Sequence, residues 1–285
     1  MYAITGVSGK VGGAAAKALL AAGKPVRAVL RDAAKAAEWA DRGCEIAIAE
    51  MEDASALARA FEGAAAVFVL PPSCFDPEPG FPEARTVISA VVQALEASRP
   101  DRVVCLSTIG AQAPQSNLLS QRTLMEQALS ALQLPVTFLR PAWFLDNLAW
   151  DIAQAREQGV LSSFLHPLDR LFPMIATDDV GQAAAELLQQ EWKGMRVVEI
   201  EGPERVSQEQ IATALSAALK RPVQAQIVPR ESWAALFRAQ GMRDPTARIQ
   251  MLDGFNEGWI SFEETHGPVL KGRVGLADVV SKLVR

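Results

Sequence analysis

The chain opens on a strand, a glycine-rich turn and a helix, and this order restricts its fold more than any other feature. Residues 1–5 form a short apolar run, Gly6, Gly9 and Gly12 follow, and an alanine-rich stretch comes next. A turn without side chains leaves backbone N–H groups and the positive helix end free to face an anion. We expect Gly6 to allow the tight turn, Gly9 the close approach of a pyrophosphate, and Gly12 the packing of helix on strand. The pattern therefore predicts a dinucleotide site rather than an ordinary glycine-rich loop.

The tip of the second predicted strand indicates which dinucleotide is bound. Arg31 stands where an acidic residue would contact the ribose 2′-OH of NAD(H), and Lys35 lies one turn further on. A guanidinium would pair with a 2′-phosphate. Asp32 follows one position late, and we expect its side chain to point away. The alternative is that Arg31 and Lys35 are surface charges at a solvated helix start. NADP(H) is therefore favoured over NAD(H).

Strand and helix patterns alternate along the first half of the chain. Further strands are predicted at 26–30, 45–48, 66–70, 102–106 and 136–139, each separated from the next by a helical pattern. This alternation predicts an α/β fold with a Rossmann-type, doubly wound parallel sheet, whose ligands lie at the carboxyl ends of the strands. We predict an NADP(H)-binding domain over 1–142 to which 176–200 returns. A smaller, mainly helical substrate lobe is expected over 143–175 and 201–285.

Bulky apolar and aromatic side chains concentrate after residue 140. These residues suit the lining of a pocket for a planar organic molecule, and the alternative is that they form the core of the smaller lobe. With the loop after the fourth strand included, the candidate acceptor-binding residues are Pro72, Trp143, Phe144, Asn147, Phe172 and Met174.

Composition limits the classes of partner that the chain is expected to bind. The net charge of −5 and the absence of a basic stretch argue against nucleic-acid binding. No apolar run approaches the ~20 residues that span a bilayer, and no signal-peptide pattern precedes the first strand. Three cysteines without a C-x-x-C pair or a histidine cluster predict reduced thiols and no metal site. We expect a cytoplasmic protein that binds a small molecule, and the oligomeric state stays open.

An ordered set of motifs spans the chain. It consists of Thr5-Gly-Val-Ser-Gly-Lys-Val-Gly12, Val26-Arg-Ala-Val-Leu-Arg31-Asp32, Asp53-Ala-Ser-Ala-Leu57, Met125-Glu126, Pro135-Val-Thr-Phe-Leu-Arg-Pro-Ala-Trp-Phe144 with Asn147, and Ala176-Thr-Asp-Asp-Val180. The set resembles the NmrA-like group of atypical short-chain dehydrogenases over essentially the whole chain. The resemblance implies an NAD(P)H-dependent reductase of quinones or triarylmethane dyes. It equally admits a non-catalytic NADP(H)-sensing regulator that acts through a protein partner.

The same resemblance implies a set of cofactor contacts along the carboxyl ends of the strands. They fall on Gly6, Ser8, Gly9, Lys10, Val11, Arg31, Lys35, Met51, Leu70, Pro71, Ser107, Pro141, Ala142, Trp143 and Phe144. The chain departs from the group's pattern after the third strand, where Ala49-Glu50 replaces a Gly-Asp pair.

The catalytic dyad of ordinary short-chain dehydrogenases is missing. That dyad is Tyr-x-x-x-Lys, in which the phenol gives or takes the proton of an alcohol. The sole tyrosine of this chain is Tyr2, and no lysine lies between Lys35 and Lys193. Counting back from Glu126, the dyad positions hold Leu118 and Arg122. An alcohol dehydrogenase of the sugar or steroid type is therefore disfavoured.

Two residues remain as catalytic candidates. Arg122 is too basic to be a general acid near neutral pH, but it would hold the cofactor ribose or stabilise an anionic product. Ser107 would at most relay a proton from water. The sequence therefore favours hydride transfer to a quinone, azo or triarylmethane compound, because such acceptors need no matched acid.

Overall fold

The computed structural model describes residues 1–265 and 267–285, and its centre is an eight-stranded parallel sheet. The strands of the protein are β1 (Tyr2–Thr5), β2 (Val26–Leu30), β3 (Glu45–Ile48), β4 (Ala66–Val69), β5 (Arg102–Leu106), β6 (Val136–Pro141), β7 (Trp143–Phe144), β8 (Val160–Ser163), β9 (Met174–Ile175), β10 (Met195–Glu201), β11 (Gln224–Ile227) and β12 (Leu270–Lys271). The main sheet has the order β3-β2-β1-β4-β5-β6-β10-β12. The order reverses between β1 and β4, where doubly wound sheets bind ligands.

Helices cover both faces of this sheet. They are α1 (Lys10–Ala21), α2 (Ala36–Ala40), α3 (Ala54–Phe61), α4 (Pro82–Ser98), α5 (Ser120–Ser130), α6 (Ile152–Gln158), α7 (Thr177–Leu188), α8 (Gln208–Leu219), α9 (Trp233–Ala239), α10 (Thr246–Glu257) and α11 (Leu276–Leu283), with 3₁₀ helices at Ala33–Lys35, Leu145–Trp150 and Arg230–Ser232. Among the helices in the described part of the chain, none has the length and apolarity to cross a membrane.

The side chains of β4 explain why the sheet is covered on both faces. Every residue of this strand is buried. Val67 and Val69 pack in one core with α3 and α4, and Phe68 packs in the other core with α1 and α7. Because successive side chains of a strand point to opposite faces, an apolar strand needs a helix layer on each side. The predicted Rossmann-type doubly wound sheet is confirmed.

Helices α1 and α7 pack closely together against the sheet. A Cβ atom added to Gly181 of α7 would lie 2.4 Å from the Cβ of Ala14 and 2.7 Å from the carbonyl oxygen of Val11, both in α1. The absence of a side chain at Gly181 lets the two helix backbones approach. This contact joins the helix that follows the glycine turn to the second half of the chain.

The second half of the chain both extends the main sheet and builds smaller elements. Strand β10 pairs with β6 from Met195 to Ile200, and short parallel pairs join β7 to β9 and β8 to β11. Ser207 and Gln210 form a capping box at the start of α8.

One segment departs from the predicted lobe division. The sequence assigns 201–285 to the smaller lobe, whereas Leu270–Lys271 pairs with β10 at the edge of the main sheet. A strand of two residues is too short to leave a periodic pattern in the sequence.

Candidate functional site

The turn between β1 and α1 forms a cradle with space for an anion. Gly6 has a φ of +66°, a conformation that residues with a side chain rarely adopt. A Cβ atom on Gly12 would lie 2.3 Å from the Gly6 carbonyl oxygen. Glycine at positions 6 and 12 therefore lets α1 begin close against this turn. The N-cap residue Gly9 has no side chain to accept a hydrogen bond from the start of α1. The first N–H groups of a helix have no partner within the helix. These features fit a pyrophosphate at the helix N-terminus.

Thr5 fixes the position of this turn against the neighbouring strand. Its hydroxyl donates to the carbonyl oxygen of Phe68 at 3.0 Å and accepts from the N–H of Leu70 at 2.7 Å. The carboxyl ends of β1 and β4 are thereby held together at the point where the strand order reverses. Sequence analysis did not single out Thr5 by itself, although a polar residue at the end of an apolar strand is a signal that could have found it.

The tip of β2 presents two cations to solvent. Arg31 and Lys35 are both exposed. The carboxylate of Asp32 accepts a hydrogen bond from the N–H of Ala34 at 2.9 Å, as a cap of the 3₁₀ helix that follows. The Asp32 carboxylate thus has a hydrogen-bond partner in its own segment. The guanidinium of Arg31 is exposed beside it at the strand tip. This arrangement suits a phosphate better than a ribose hydroxyl.

Lys10, at the start of α1, contacts a carboxylate from the far side of the site. Its ammonium donates to the carbonyl oxygen of Asp146 at 3.2 Å and lies 3.5 Å from the Asp146 carboxylate. The other carboxylate oxygen of Asp146 accepts from the N–H of Thr177 at 2.8 Å, at the first residue of α7. Asp146 therefore joins the phosphate side of the site to α7. Sequence reasoning missed this residue, because the contact spans many positions of the chain.

Arg122 lies on α5 and holds the loop that follows β4. Its guanidinium donates to the carbonyl oxygens of Pro71 at 2.8 Å and Pro72 at 3.3 Å, and to the hydroxyl of Ser73 at 2.8 Å. Burial lowers the pKa of Arg122 to about 10, so the side chain keeps its charge at neutral pH. The structure thus brings Arg122 to two residues that sequence analysis placed at the site, Pro71 and Pro72.

Ser107 lies at the end of β5 and is oriented by buried charges. Its hydroxyl donates to a carboxylate oxygen of Glu126. Arg140 holds Glu126 in place through two hydrogen bonds of 2.9 and 2.7 Å, and donates to Glu263 at 2.8 Å. Because the proton of Ser107 points toward Glu126, the lone pairs of its oxygen are left to accept a hydrogen bond from a ligand.

The balance of forces on Arg140 explains why this charge is tolerated inside the protein. Burial alone would lower the pKa of Arg140, but its hydrogen bonds to Glu126 and Glu263 outweigh burial and raise it. Glu126 belongs to one of the sequence motifs, whereas the roles of Arg140 and Glu263 were not predicted. The signal for Arg140 was that it is the one charged residue of β6, whereas no pattern connects Glu263 with β6.

Trp143 and Phe144 form strand β7 directly after β6, and both are partly buried. Parallel pairing brings Met174 beside Trp143. The rings of Trp143 and Phe255 also meet edge to face at a centroid distance of 5.0 Å. Asn147 is partly buried in the 3₁₀ helix that follows. The segment after β6 thus places aromatic side chains at the carboxyl edge of the sheet.

Phe172 and Met174 are both 3 % exposed and belong to the hydrophobic core. Phe172 pairs with Val206 through backbone hydrogen bonds, and the guanidinium of Arg170 covers its ring at 5.1 Å. Both side chains pack in the core, and their contact with an acceptor stays a prediction.

The other candidate cofactor residues lie along the same edge of the sheet. Leu70 packs against Gly6, and Pro141 and Ala142 are buried at the end of β6. Met51 is partly buried in the loop after β3. In that loop Asp53 caps α3 by accepting from the N–H of Ala56 at 2.9 Å, so its carboxylate has a local partner.

Comparison with protein families and curated proteins agrees with this geometry. The family described as NAD(P)H-binding matches residues 6–191. An NAD(P)H azoreductase of Xenophilus azovorans is 28% identical over 260 residues, which cover 90% of this chain and 85% of the relative. Quinone oxidoreductase 2 of Escherichia coli (strain K12) is 24% identical over 249 residues, which cover 87% of this chain and 84% of the relative.

Solved structures share the fold over the full length. The NADPH complex of an NADPH-dependent quinone oxidoreductase from Escherichia coli has a TM-score of 0.82 at 22% identity and covers 100% of both chains. The NADP(H) complex of a triphenylmethane reductase from Citrobacter sp. has a TM-score of 0.80 at 20% identity and covers 99% of both chains. At such identities the likeness establishes the fold.

Proposed function

The chain belongs to the NAD(P)H-binding family, and we propose that it is an NADPH-dependent oxidoreductase that transfers hydride to a conjugated acceptor. The acceptor classes are quinones, azo compounds and triarylmethane dyes. Relatives over most of the chain include an NAD(P)H azoreductase and a quinone oxidoreductase, which supports this choice.

The observation that carries the proposal is the occupation of the dyad positions. Leu118 and Arg122 stand there, and Tyr2, the sole tyrosine, lies in β1. Arg122 donates to the loop after β4 and keeps its proton at neutral pH because the pKa is about 10. Neither position supplies a general acid matched to neutral pH. The reaction is therefore one in which the product of hydride addition is stable without immediate protonation.

Triarylmethane dyes and quinones meet this requirement. Hydride addition to the cationic central carbon of a triarylmethane dye forms a C–H bond and gives a neutral product. Hydride addition to a quinone gives a delocalised phenolate that water protonates afterwards. A simple ketone would give an alkoxide, which needs a matched acid during the transfer.

The cofactor would lie along the carboxyl edge of the sheet and would supply the hydride when bound. Gly6, Ser8, Gly9, Lys10 and Val11 would hold the pyrophosphate at α1, and Arg31 and Lys35 would hold the 2′-phosphate. Leu70, Pro71, Ser107 and residues 141–144 would contact the nicotinamide half. The Ser107 oxygen, oriented by Glu126, would accept a hydrogen bond there. These residues bind and orient the cofactor.

The acceptor would stack over the nicotinamide between two walls. Pro72 belongs to the loop that Arg122 holds, and Trp143, Phe144 and Asn147 form the opposite wall. Met174 is the strand partner of Trp143. Aromatic walls favour a planar acceptor because stacked and edge-to-face contacts stabilise rings.

The test is steady-state oxidation of NADPH with a panel of quinones, azo compounds and triarylmethane dyes, compared with secondary alcohols and unactivated ketones. We expect turnover with the conjugated acceptors and no useful turnover with the alcohols or ketones. Efficient alcohol oxidation would overturn the mechanism. Tight NADPH binding without reduction of any acceptor would favour the NADP(H)-sensing regulator instead.

A further inference from the structure

Two exposed aromatic side chains meet at the carboxyl edge of the main sheet, where the proposed site lies. Among the described residues, Phe75 and Trp150 are the exposed aromatic side chains, with 58% and 68% of their surface accessible. Their rings lie edge to face with centroids 6.2 Å apart. Phe75 belongs to the loop after β4, and Trp150 ends the 3₁₀ helix after β7. Adjacent exposed rings form an apolar patch, which is the usual mark of a binding surface.

The sheet topology places this ring pair beside the proposed site. Strands β4 and β6 flank β5 on either side. The loop from β4 and the segment from β6 and β7 meet at Phe75 and Trp150, so the contact bridges the two sides of β5. The carboxyl end of β5 is followed by Ser107. The rings therefore extend the aromatic wall of Trp143 and Phe144 outward.

The backbone around Phe75 is held on both sides. Gln121 donates to the carbonyl oxygen of Cys74 at 2.9 Å and accepts from its N–H at 3.3 Å. The Asp76 carboxylate accepts from the N–H groups of Arg243 and Asp244 at 3.0 and 3.1 Å. The loop is thus anchored immediately before and after Phe75 while the ring itself faces solvent. A side chain on an anchored backbone loses little further freedom when a ligand binds.

Trp150 is presented in a similar way. Leu145 and Leu148 bury the 3₁₀ helix in the core, and Asp146 ties it to α7 through the N–H of Thr177. Trp150 stands at the end of this helix with most of its surface in water. Two anchored segments thus each offer one exposed ring at the same point.

We propose that Phe75 and Trp150 form an outer aromatic subsite that selects acceptors with several conjugated rings over single-ring acceptors. This inference rests on the proposed function, because it extends the same site outward. A single-ring quinone seated at the nicotinamide would occupy the inner wall alone. A triarylmethane dye has further rings that reach the outer pair and stack against it.

The experiment compares crystal violet, a triarylmethane dye, with 1,4-benzoquinone in Phe75→Ala and Trp150→Ala. Each change should raise the KM for crystal violet about 2- to 12-fold, the range of one aromatic contact. The KM for 1,4-benzoquinone and the Kd for NADPH should change less than about 2-fold. Trp150→Phe keeps a ring and should retain most of the dye preference. Met195→Ala, which removes an exposed apolar side chain at the amino end of β10, is the control.

Equal loss for both acceptors, or no change for the dye, would overturn the subsite. Equilibrium dialysis of crystal violet against the NADP⁺-loaded protein separates this result from failure of the proposed function, because it needs no turnover. If the wild-type chain reduces neither compound, the proposed reductase is wrong. Weaker dye binding in Phe75→Ala and Trp150→Ala would then still support the subsite, and unchanged binding would reject it.

Discussion

At the scale of single residues, the preference between the two nicotinamide cofactors depends on Arg31. Arg31 is exposed at the tip of β2, and the carboxylate of the neighbouring Asp32 accepts a hydrogen bond from the N–H of Ala34. We expect NADPH to bind more tightly than NADH. Arg31→Ala should weaken NADPH binding selectively by about 1.5–3 kcal/mol, the usual range for a hydrogen bond to a charged group. Calorimetric titration of both cofactors measures this difference.

The matched control for this prediction is Arg59→Ala, which removes an exposed arginine from the last turn of α3. It should leave the discrimination between the two cofactors intact. Equal affinities of the wild-type chain for NADPH and NADH would contradict the assignment of Arg31 to the 2′-phosphate.

Asp151 is a second residue with a testable property. Burial raises the pKa of its carboxyl from 3.8 to about 6. Above about pH 6 the folded protein therefore carries a desolvated carboxylate, and this cost declines as the pH falls toward 3.8. The full difference corresponds to about 3 kcal/mol, and partial exposure reduces it. Asp151→Asn should thus raise the free energy of unfolding by about 1–2 kcal/mol at pH 7.5.

Urea denaturation at pH 4, 5.5 and 7.5 measures this effect. The gain from Asp151→Asn should shrink through pH 6 and vanish near pH 4. The same substitution at Asp101, which is exposed, is the control. A gain that stays constant over this range would contradict the assignment of the raised pKa to Asp151.

At the scale of elements, α5 organises the centre of the candidate site. Arg122 and Glu126 are four residues apart on this helix, so they lie on the same face. One holds the loop after β4, and the other holds Ser107 at the end of β5. The helix that carries a proton-transfer dyad in ordinary short-chain dehydrogenases here carries two charged residues that hold neighbouring segments in place.

Loss of the Arg122 side chain tests this role. Arg122→Ala removes three hydrogen bonds to Pro71, Pro72 and Ser73, so the loop should lose its fixed position over the nicotinamide. We expect kcat for quinone reduction to fall about 10- to 100-fold without being abolished, because the remaining contacts still position the reactants. Arg122→Lys keeps the charge with fewer donors and should give an intermediate rate. An unchanged rate, or complete loss with the fold intact by circular dichroism, would contradict a positioning role.

At the scale of the whole molecule, the fold and the family agree with the sequence prediction. The doubly wound parallel sheet is present, and the expected NAD(P)H-binding family is confirmed by the family match. The pairing of β10 with β6 and the packing of α7 on α1 bring the second half of the chain onto the nucleotide-binding half. The candidate site is therefore assembled from both halves.

Features that depend on short stretches of chain were predictable from the amino-acid sequence. Glycine spacing predicted the turn at Gly6, and apolar runs predicted strands such as β2, β3 and β5 with their observed bounds. The absence of a Tyr-x-x-x-Lys pair was likewise evident from the sequence. These features follow from backbone conformation and local periodicity, which act between neighbouring residues.

Contacts between side chains far apart in the sequence became visible with the three-dimensional packing. The contact of Arg140 with Glu263, of Asp146 with Lys10, and of Phe75 with Trp150 each joins segments far apart in the sequence. The tertiary structure also placed Phe172 in the core although its sequence context equally allowed a pocket wall. Such pairings depend on how the strands are ordered and how the loops pack, and no local pattern in a single sequence encodes them.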